Sequence, residues 1–325
     1  MPGFSSRDDC VAQRRRTIRQ APGTPRQDAT RAVRHSASMH PALHPHVRES
    51  GAGPGVVCLH ANASSSAQWR GLMERLAPRW RVLAPDSLGA GRSPAWPADR
   101  TVTLADELAL LEPVFAAAGD PFCLVGHSYG GAVALMAALA WPERVRAIAL
   151  YEPTLFSLLE QEAPGQEAAN GIRFAAADAA AAVEAGDLDA AAERFIDYWM
   201  GAGSWRRMPE ARRAPIASSV VNVAGWARAL FSEPTPLQAF GALEVPVLYM
   251  TGAQSPASAR GVARLLTGVL PDVSVVEFEG LGHMGPVTHP DIVNDAVAEF
   301  LAHGRAAEAH ERSRSAHALS TNAGR

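Results

Sequence analysis

The stretch "PFCLVGHSYGGAVALMAALAW" (residues 121–141) decides the fold, because a strand pattern and a helix pattern meet in it at one serine. Residues 121–127 are almost continuously apolar, which predicts a buried strand. Residues 130–141 are apolar over a helical length, and the helix is ended by Pro142. Ser128 lies in Gly-His-Ser-Tyr-Gly, whose glycines avoid clashes in a sharp turn that exposes the serine oxygen. The pattern predicts that Ser128 is a nucleophile; the simpler alternative is a serine in a tight turn.

Short apolar runs and longer helical patterns alternate over most of the chain. The predicted strands cover residues 55–61, 80–86, 121–127, 145–152, 245–252 and 273–280. The predicted helices cover residues 66–78, 103–119, 130–141, 257–270 and 290–301. Near-continuous apolar strands that alternate with helices are typical of a mostly parallel sheet with helices on both faces. The sequence therefore predicts an α/β fold.

One stretch, residues 155–240, interrupts this alternation. It is rich in alanine, helical in pattern and without a clear parallel strand. Its aromatic side chains are Phe195, Tyr198, Trp199, Trp205, Trp226 and Phe231. A helical excursion between two sheet strands predicts a lid. We expect most of these aromatics to pack the lid helices together and one or two to line a substrate pocket.

The two ends of the chain lack any sustained periodicity. Residues 1–40 are dominated by Arg, Gln, Pro, Thr and Ser, which predicts a disordered tail. An alternative expectation is that Met39 is the true first residue. Residues 303–325, rich in Ala, His, Arg and Ser, predict a second disordered tail. The α/β core then consists of residues 41–154 and 241–302.

The composition excludes several classes of protein. All 30 basic residues are arginines, so no protein lysine can form a Schiff base and no P-loop is present. Many of these arginines precede residue 50, so the rest of the chain is acidic, which argues against a nucleic-acid groove. No stretch approaches the roughly 18 uninterrupted apolar residues of a membrane span. The cysteines are Cys10, Cys58 and Cys123, an odd number without a secretory signal pattern, which predicts reduced, buried thiols in a cytoplasmic protein.

Three further motifs lie at or after the ends of predicted strands. They are "VVCLHANASSSAQW" (56–69), "APDSLGAGRS" (84–93) and "GLGHMGPVTHP" (280–290). Together with the Ser128 turn, they make the chain resemble the α/β-hydrolase fold superfamily. The first resembles the strand and oxyanion loop of that family, with Ala61 where a glycine usually stands; the second resembles its D-x-x-G-x-G-x-S turn, and the third its catalytic-histidine loop. The resemblance covers most of residues 50–302 and implies a serine hydrolase.

The resemblance implies a role for His283 and for two backbone amides. A neutral imidazole beside Ser128 can take the serine proton and return it to the leaving group. His283 is the expected base; His60, His127 and His289 are weaker candidates. The backbone N–H groups of Asn62 and Tyr129 are the expected oxyanion donors, because amides at a helix start can stabilise a developing negative charge.

The resemblance also implies a catalytic triad, in which an acid accompanies the serine and the histidine, but the usual position of that acid holds no carboxylate here. In this family the acid most often follows the strand after the lid, but "TGAQSP" (251–256) offers no carboxylate, and neither does the loop up to Arg264. A second place used in the family is the end of the preceding strand, where "ALYEP" holds Glu152. Glu152 is therefore the expected acid. The alternative is that Glu152 is a polar residue at the lid hinge that binds a backbone N–H. Asp86 is expected to brace its own turn rather than to serve as the acid.

These features predict a serine hydrolase that cleaves a carboxylic ester, or a related acyl or C–C bond, through an acyl-enzyme. We expect a small-molecule substrate with an apolar acyl group, and neither a cofactor nor a metal, nucleic-acid or membrane partner; the sequence does not indicate an oligomeric state. A serine in the turn argues against a haloalkane dehalogenase or an epoxide hydrolase, which need a carboxylate nucleophile. Two alternatives stay open: a cofactor-independent lyase or peroxidase with the same triad, and a non-catalytic binding protein of this fold.

Overall fold

The computed structural model of the chain describes residues 13–19, 44–97, 99–162 and 167–303. Within them lies one sheet in the order β1-β8-β7-β6-β5-β3-β4-β2. Its strands are Gln13–Arg19 (β1), Val47–Ser50 (β2), Gly55–Leu59 (β3), Arg81–Pro85 (β4), Phe122–His127 (β5), Val145–Tyr151 (β6), Val247–Gly252 (β7) and Asp272–Phe278 (β8). The six inner strands are parallel, and the two edge strands β1 and β2 are antiparallel to their neighbours. The predicted α/β fold is confirmed, and each predicted strand ends within two residues of an observed one.

Helices cover both faces of the sheet. They are Arg70–Leu76 (α1), Leu104–Ala118 (α2), Tyr129–Ala140 (α3), Ser157–Glu162 (α4), Glu167–Glu184 (α5), Leu188–Met200 (α6), Ser204–Arg207 (α7), Glu210–Ser219 (α8), Val223–Phe231 (α9), Ala257–Val269 (α10), Gly285–Thr288 (α11) and residues 290–303 (α12). Side chains on a strand alternate between the faces, so Val57 and Leu59 of β3 join one core and Val56 and Cys58 join the other. This double burial explains why the inner strands are apolar at nearly every position. No described helix has both the length and the apolar character needed to cross a membrane.

A helical insert separates β6 from β7. It runs from Ser157 to the end of a 3-10 turn at Ala242 and contains α4 to α9. Its aromatic rings contact one another: Phe195 lies 6.0 Å from Trp226 and 6.4 Å from Trp199 between ring centroids. The predicted helical excursion between two strands is therefore present over nearly the predicted range.

The strand β1 corrects one prediction. Residues 13–19, placed by the sequence in a disordered tail (1–40), pair antiparallel with β8 at the edge of the sheet. Arg14 donates to Glu279 at 2.5 Å, and Arg15 donates to Glu299 at 2.8 Å. Backbone pairing and ion pairs hold this strand, so it lacks the apolar periodicity by which a strand is recognised in a sequence. The rest of the predicted N-terminal tail, residues 1–12 and 20–40, and the predicted tail beyond residue 303 lie outside the described residues.

Candidate active site

Ser128 lies on a strained turn between β5 and α3. Strand β5 ends at His127 and helix α3 begins at Tyr129, so the serine alone makes the turn. Its φ of 55° and ψ of −117° place it in a region that residues other than glycine rarely adopt, at a cost of about 1–3 kcal/mol. Three backbone hydrogen bonds hold the turn: the Ser128 amide donates to Tyr151, and the Ser128 carbonyl accepts from Ala132 and Thr154. The turn is fixed from both sides by the sheet and the helix.

The two glycines of the motif allow the turn to pack closely. A Cβ on Gly126 would lie 2.6 Å from the carbonyl oxygen of Gly130. A Cβ on Gly130 would overlap the carbonyl oxygens of Leu59 and His60 at the end of β3. Because β3 and β5 are neighbours in the sheet, this close approach puts the loop after β3 directly beside Ser128.

His283 and Glu152 complete a hydrogen-bonded line with Ser128. The Nε2 atom of His283 lies 2.9 Å from Ser128 Oγ, and its Nδ1 atom lies 2.7 Å from Glu152 Oε2. His283 is 1% exposed and Glu152 is 0% exposed. The predicted base and acid are thus brought together with the serine from three separate strand ends. An imidazole held in this way can accept the serine proton at Nε2 while Nδ1–H donates to the carboxylate.

The carboxylate of Glu152 reaches the end of β7 as well. Its Oε1 atom accepts hydrogen bonds from Thr251 Oγ1 and from the amide of Gly252, each at 2.7 Å. Three donors therefore surround a group that only accepts when it is ionised. The alternative prediction is that Glu152 is a polar residue at the lid hinge that binds a backbone N–H. Glu152 does accept from the backbone amide of Gly252, and the same carboxylate also contacts His283. Glu152 lies beside the start of the loop in which the family usually holds its acid.

Asn62 and Tyr129, the predicted oxyanion donors, lie on the two segments that Gly130 brings together. Asn62 follows β3 by three residues, and Tyr129 is the first residue of α3. Among the described residues, no acceptor is bonded to either backbone amide. Both N–H groups are therefore free to bind a substrate oxygen. Asp86 does brace its own turn, because it accepts from the amides of Ser66 and Arg92.

Two polar residues near the site, the buried Glu107 and the partly buried Gln68, were not singled out from the sequence. Glu107 on α2 is 0% exposed and accepts from Tyr129 Oη at 3.1 Å and from the Leu88 amide at 3.2 Å. A helical signal could have found it, since Glu107 lies three residues after Leu104 and four before Leu111 on the buried face of α2. Gln68 contacts His127 and the loop after β3. No sequence pattern marks Gln68.

Glu107 gives the stability of the protein a specific pH dependence. Burial raises the pKa of Glu107 to about 7, against the opposing effect of its hydrogen bonds to Leu88 and Tyr129. This pKa lies above that of an unfolded glutamate. The stabilisation that the protonated Glu107 adds to the free energy of unfolding is therefore fully present below pH 4.5 and is lost as the pH rises through 7.

We expect Glu107→Gln, which stays neutral, to gain about 2 kcal/mol in unfolding free energy relative to the unsubstituted protein between pH 5 and pH 8. Urea unfolding of both proteins at the two pH values measures this difference. Equal differences at pH 5 and pH 8 would contradict it.

A family model for the alpha/beta hydrolase fold matches residues 54–290. The chain therefore belongs to the α/β-hydrolase fold family, as the four motifs predicted, and it is an enzyme.

Several known proteins are similar over most of the chain. The pimeloyl-[acyl-carrier protein] methyl ester esterase of Chromobacterium violaceum is 29% identical over 78% of this chain and 97% of its own length. The 2-(acetamidomethylene)succinate hydrolase of Mesorhizobium japonicum is 30% identical over 78% of this chain and 90% of its own length. The crystal structure of an alpha/beta hydrolase from Sphaerobacter thermophilus is 25% identical, with a TM-score of 0.61 over 79% of this chain and 95% of that one.

Proposed function

We propose that this enzyme is a serine hydrolase that cleaves a carboxylic ester, or a related acyl or C–C bond, of a small molecule through an acyl-enzyme on Ser128. The observation that carries the proposal is the buried line of hydrogen bonds from Ser128 through His283 to Glu152. The strained turn supports it further, because strain of this kind concentrates at functional residues.

The proposed reaction has two halves. Ser128 Oγ attacks the substrate carbonyl carbon while its proton passes to His283 Nε2, and Glu152 stabilises the resulting imidazolium. The amides of Asn62 and Tyr129 stabilise the oxyanion, each worth roughly 10²–10³ in rate. His283 then gives its proton to the leaving group, and an acyl-enzyme remains. In the second half His283 takes a proton from water, whose oxygen attacks the acyl carbon. The bond from that carbon to Ser128 Oγ then breaks, His283 returns the proton to Ser128, and the acid is released.

The surroundings of the line favour a substrate with an apolar acyl group. The ring of Trp199 stacks on the ring of His283, with centroids 4.0 Å apart and planes 27° apart, and Phe156 stacks on Trp199 in turn. Among the described residues no arginine is hydrogen-bonded to Ser128, His283 or Glu152. According to their names, one of the two similar enzymes acts on an ester and the other on a succinate derivative. We propose an ester as the substrate of this enzyme. We place the enzyme in the cytoplasm, where the buried thiols of Cys58 and Cys123 would stay reduced.

The missing carboxylate after β7 was the support for a non-catalytic binding protein. Glu152 lies within hydrogen-bond distance of His283, so a carboxylate is available at the histidine and the missing one no longer favours that alternative.

A lyase differs from a hydrolase in its products. Incubation with p-nitrophenyl esters of two to eight acyl carbons tests the proposal: we expect a burst of one p-nitrophenol per enzyme, followed by steady release of the free acid. A folded protein that hydrolyses none of these esters and forms no acyl-enzyme would overturn it.

We further propose that the helical insert acts as a lid and that Trp199 is its contact with the site. Ser128 is only 6% exposed, so a large substrate requires the insert to move. The stacking of Trp199 on His283 is a contact of the kind worth about 0.5–1.5 kcal/mol. Its loss would raise the population of a state in which the insert has moved away from the site by a factor of roughly two to ten.

We expect Trp199→Ala to raise the labelling rate of Ser128 by a bulky fluorophosphonate, relative to a small one, by roughly two- to tenfold. Phe195→Ala is the control, because Phe195 lies on the same helix and contacts Trp199 without contacting His283. An unchanged ratio in Trp199→Ala, or an equal change in Phe195→Ala, would contradict a specific role for Trp199.

A further inference from the structure

His127 is a buried histidine that the proposed reaction does not use. It precedes Ser128 in the turn and is 0% exposed. Its Nε2 atom lies 2.9 Å from the backbone carbonyl oxygen of His283, and its Nδ1 atom lies 3.2 Å from Nε2 of Gln68. The Oε1 atom of Gln68 in turn accepts a hydrogen bond from the Ala61 amide at 3.2 Å. A continuous chain of hydrogen bonds thus runs from Ala61 to His283.

The chemistry of the two ends sets the direction of this chain. A carbonyl oxygen only accepts, so Nε2 of His127 must carry a hydrogen and donate it to His283. In a neutral ring Nδ1 then accepts, and its donor is the amide NH₂ of Gln68. This leaves Oε1 of Gln68 for the backbone N–H of Ala61, which only donates. Every atom has one possible role, and burial, which lowers the pKa of His127, keeps the ring neutral as this arrangement requires.

The chain joins the two loops on which the proposed reaction depends. Ala61 precedes Asn62, whose amide is a proposed oxyanion donor, and His283 is the proposed base. Two other donors hold the same histidine loop. Tyr151 Oη donates to the Gly282 carbonyl at 2.8 Å, and the backbone N–H of Gln254 donates to the Leu281 carbonyl at 2.9 Å. The bond from His127 differs from these two, because it comes from the residue beside the nucleophile.

We propose that Gln68 and His127 are positioning residues that hold the oxyanion loop and the histidine loop in place relative to Ser128 through this one chain of hydrogen bonds. The inference rests on the proposed function, since it concerns the same reaction. Both side chains act through the loops that they hold rather than on the reacting atoms. Removing Gln68 leaves the Ala61 amide and His127 Nδ1 without partners in a buried place, while Ser128, His283 and Glu152 keep their direct contacts.

The first test compares Gln68→Leu with the unsubstituted enzyme on the best p-nitrophenyl ester. A misplaced catalytic group can cost up to about 100-fold in rate, so we expect kcat to fall by about 10- to 100-fold with KM within about threefold. Binding of a trifluoromethyl ketone, which forms a tetrahedral oxyanion on the serine, should weaken by the same factor as kcat/KM. Loss of global stability alone would not produce this match. Gln161→Leu is the control, because the Gln161 side chain likewise donates a hydrogen bond, in its case to the backbone carbonyl of Glu233, but lies on α4.

The second test asks whether the two residues act together. His127→Gln and the double variant Gln68→Leu/His127→Gln complete a cycle, and we expect the double variant to lose little more than the worse single variant. Should Gln68→Leu fail to fold, Gln68→Met fills similar space and takes its place. An unchanged kcat in Gln68→Leu, a loss confined to thermal stability, or additive losses would overturn the inference. If the unsubstituted enzyme itself neither hydrolyses esters nor is labelled at Ser128, the proposed function fails instead.

Discussion

Ser128→Ala is expected to lower kcat for ester hydrolysis by about 10⁵- to 10⁶-fold, the size of the loss when the nucleophile of a serine triad is removed. The reason is that, among the described residues, Ser128 alone has a hydroxyl hydrogen-bonded to Nε2 of His283. The serine oxygen is presented on the Ser128 turn at 2.9 Å from the only base in the line, His283. Alanine keeps the fold of the turn but leaves nothing to form the acyl-enzyme.

Steady-state rates of Ser128→Ala, His283→Ala and the double variant measure this prediction. Residues that act as one unit are not additive, so the double variant should be no slower than either single variant within about threefold. Ser157→Ala is the control, because Ser157 is also buried and its hydroxyl has no partner among the described residues. If Ser128→Ala kept a tenth of the activity, a different nucleophile would have to be sought.

Glu152→Gln is expected to lower kcat by about 10³- to 10⁴-fold with little change in KM. Glutamine can still accept from Thr251 and Gly252 with its carbonyl oxygen. Its NH₂ group then faces His283 Nδ1, which must become an acceptor, so that the hydrogen moves to Nε2. An imidazole in that tautomer cannot take the proton of Ser128. The loss therefore comes from the wrong tautomer in an almost unchanged geometry.

Measuring kcat and KM for Glu152→Gln and for a control variant, Glu233→Gln, tests this prediction. Glu233 is a suitable control, because it is also a buried carboxylate, but its hydrogen bonds are to Thr235 in the insert. We expect Glu233→Gln to keep at least half of the activity. Retention of more than a tenth of kcat in Glu152→Gln would mean that the acid of this enzyme lies elsewhere.

The sequence predicted the parts of the molecule that are encoded locally. The Ser128 turn and the histidine loop are short patterns attached to the ends of apolar runs, so their type and place follow from neighbouring residues alone. The six inner strands are predictable for the same reason, because burial on both faces makes them apolar throughout. Glu152 was singled out as the expected acid only because the usual position after β7 lacks a carboxylate and the family uses a second position.

Contacts between distant segments could not be predicted in this way. The strand β1 is held by its pairing with β8, whose paired residues lie 253 to 265 positions later in the sequence, and by ion pairs of its arginines. Without those distant partners, its run of arginines has the composition of a solvated tail. Gln68 looks like any polar residue before Trp69, and only the fold places it against His127. Trp199 was one of six aromatics with the same local pattern, and its stacking on His283 depends on how the insert packs.

The most direct test of the central claim is labelling with a small fluorophosphonate, measured by intact mass and peptide mapping. The account predicts one adduct per chain, on the peptide that contains Ser128. It also predicts that labelling is lost in His283→Ala and slowed in Glu152→Gln, because both act through the reactivity of that oxygen. An adduct on another residue, or no adduct on a folded enzyme that still hydrolyses esters, would contradict the account.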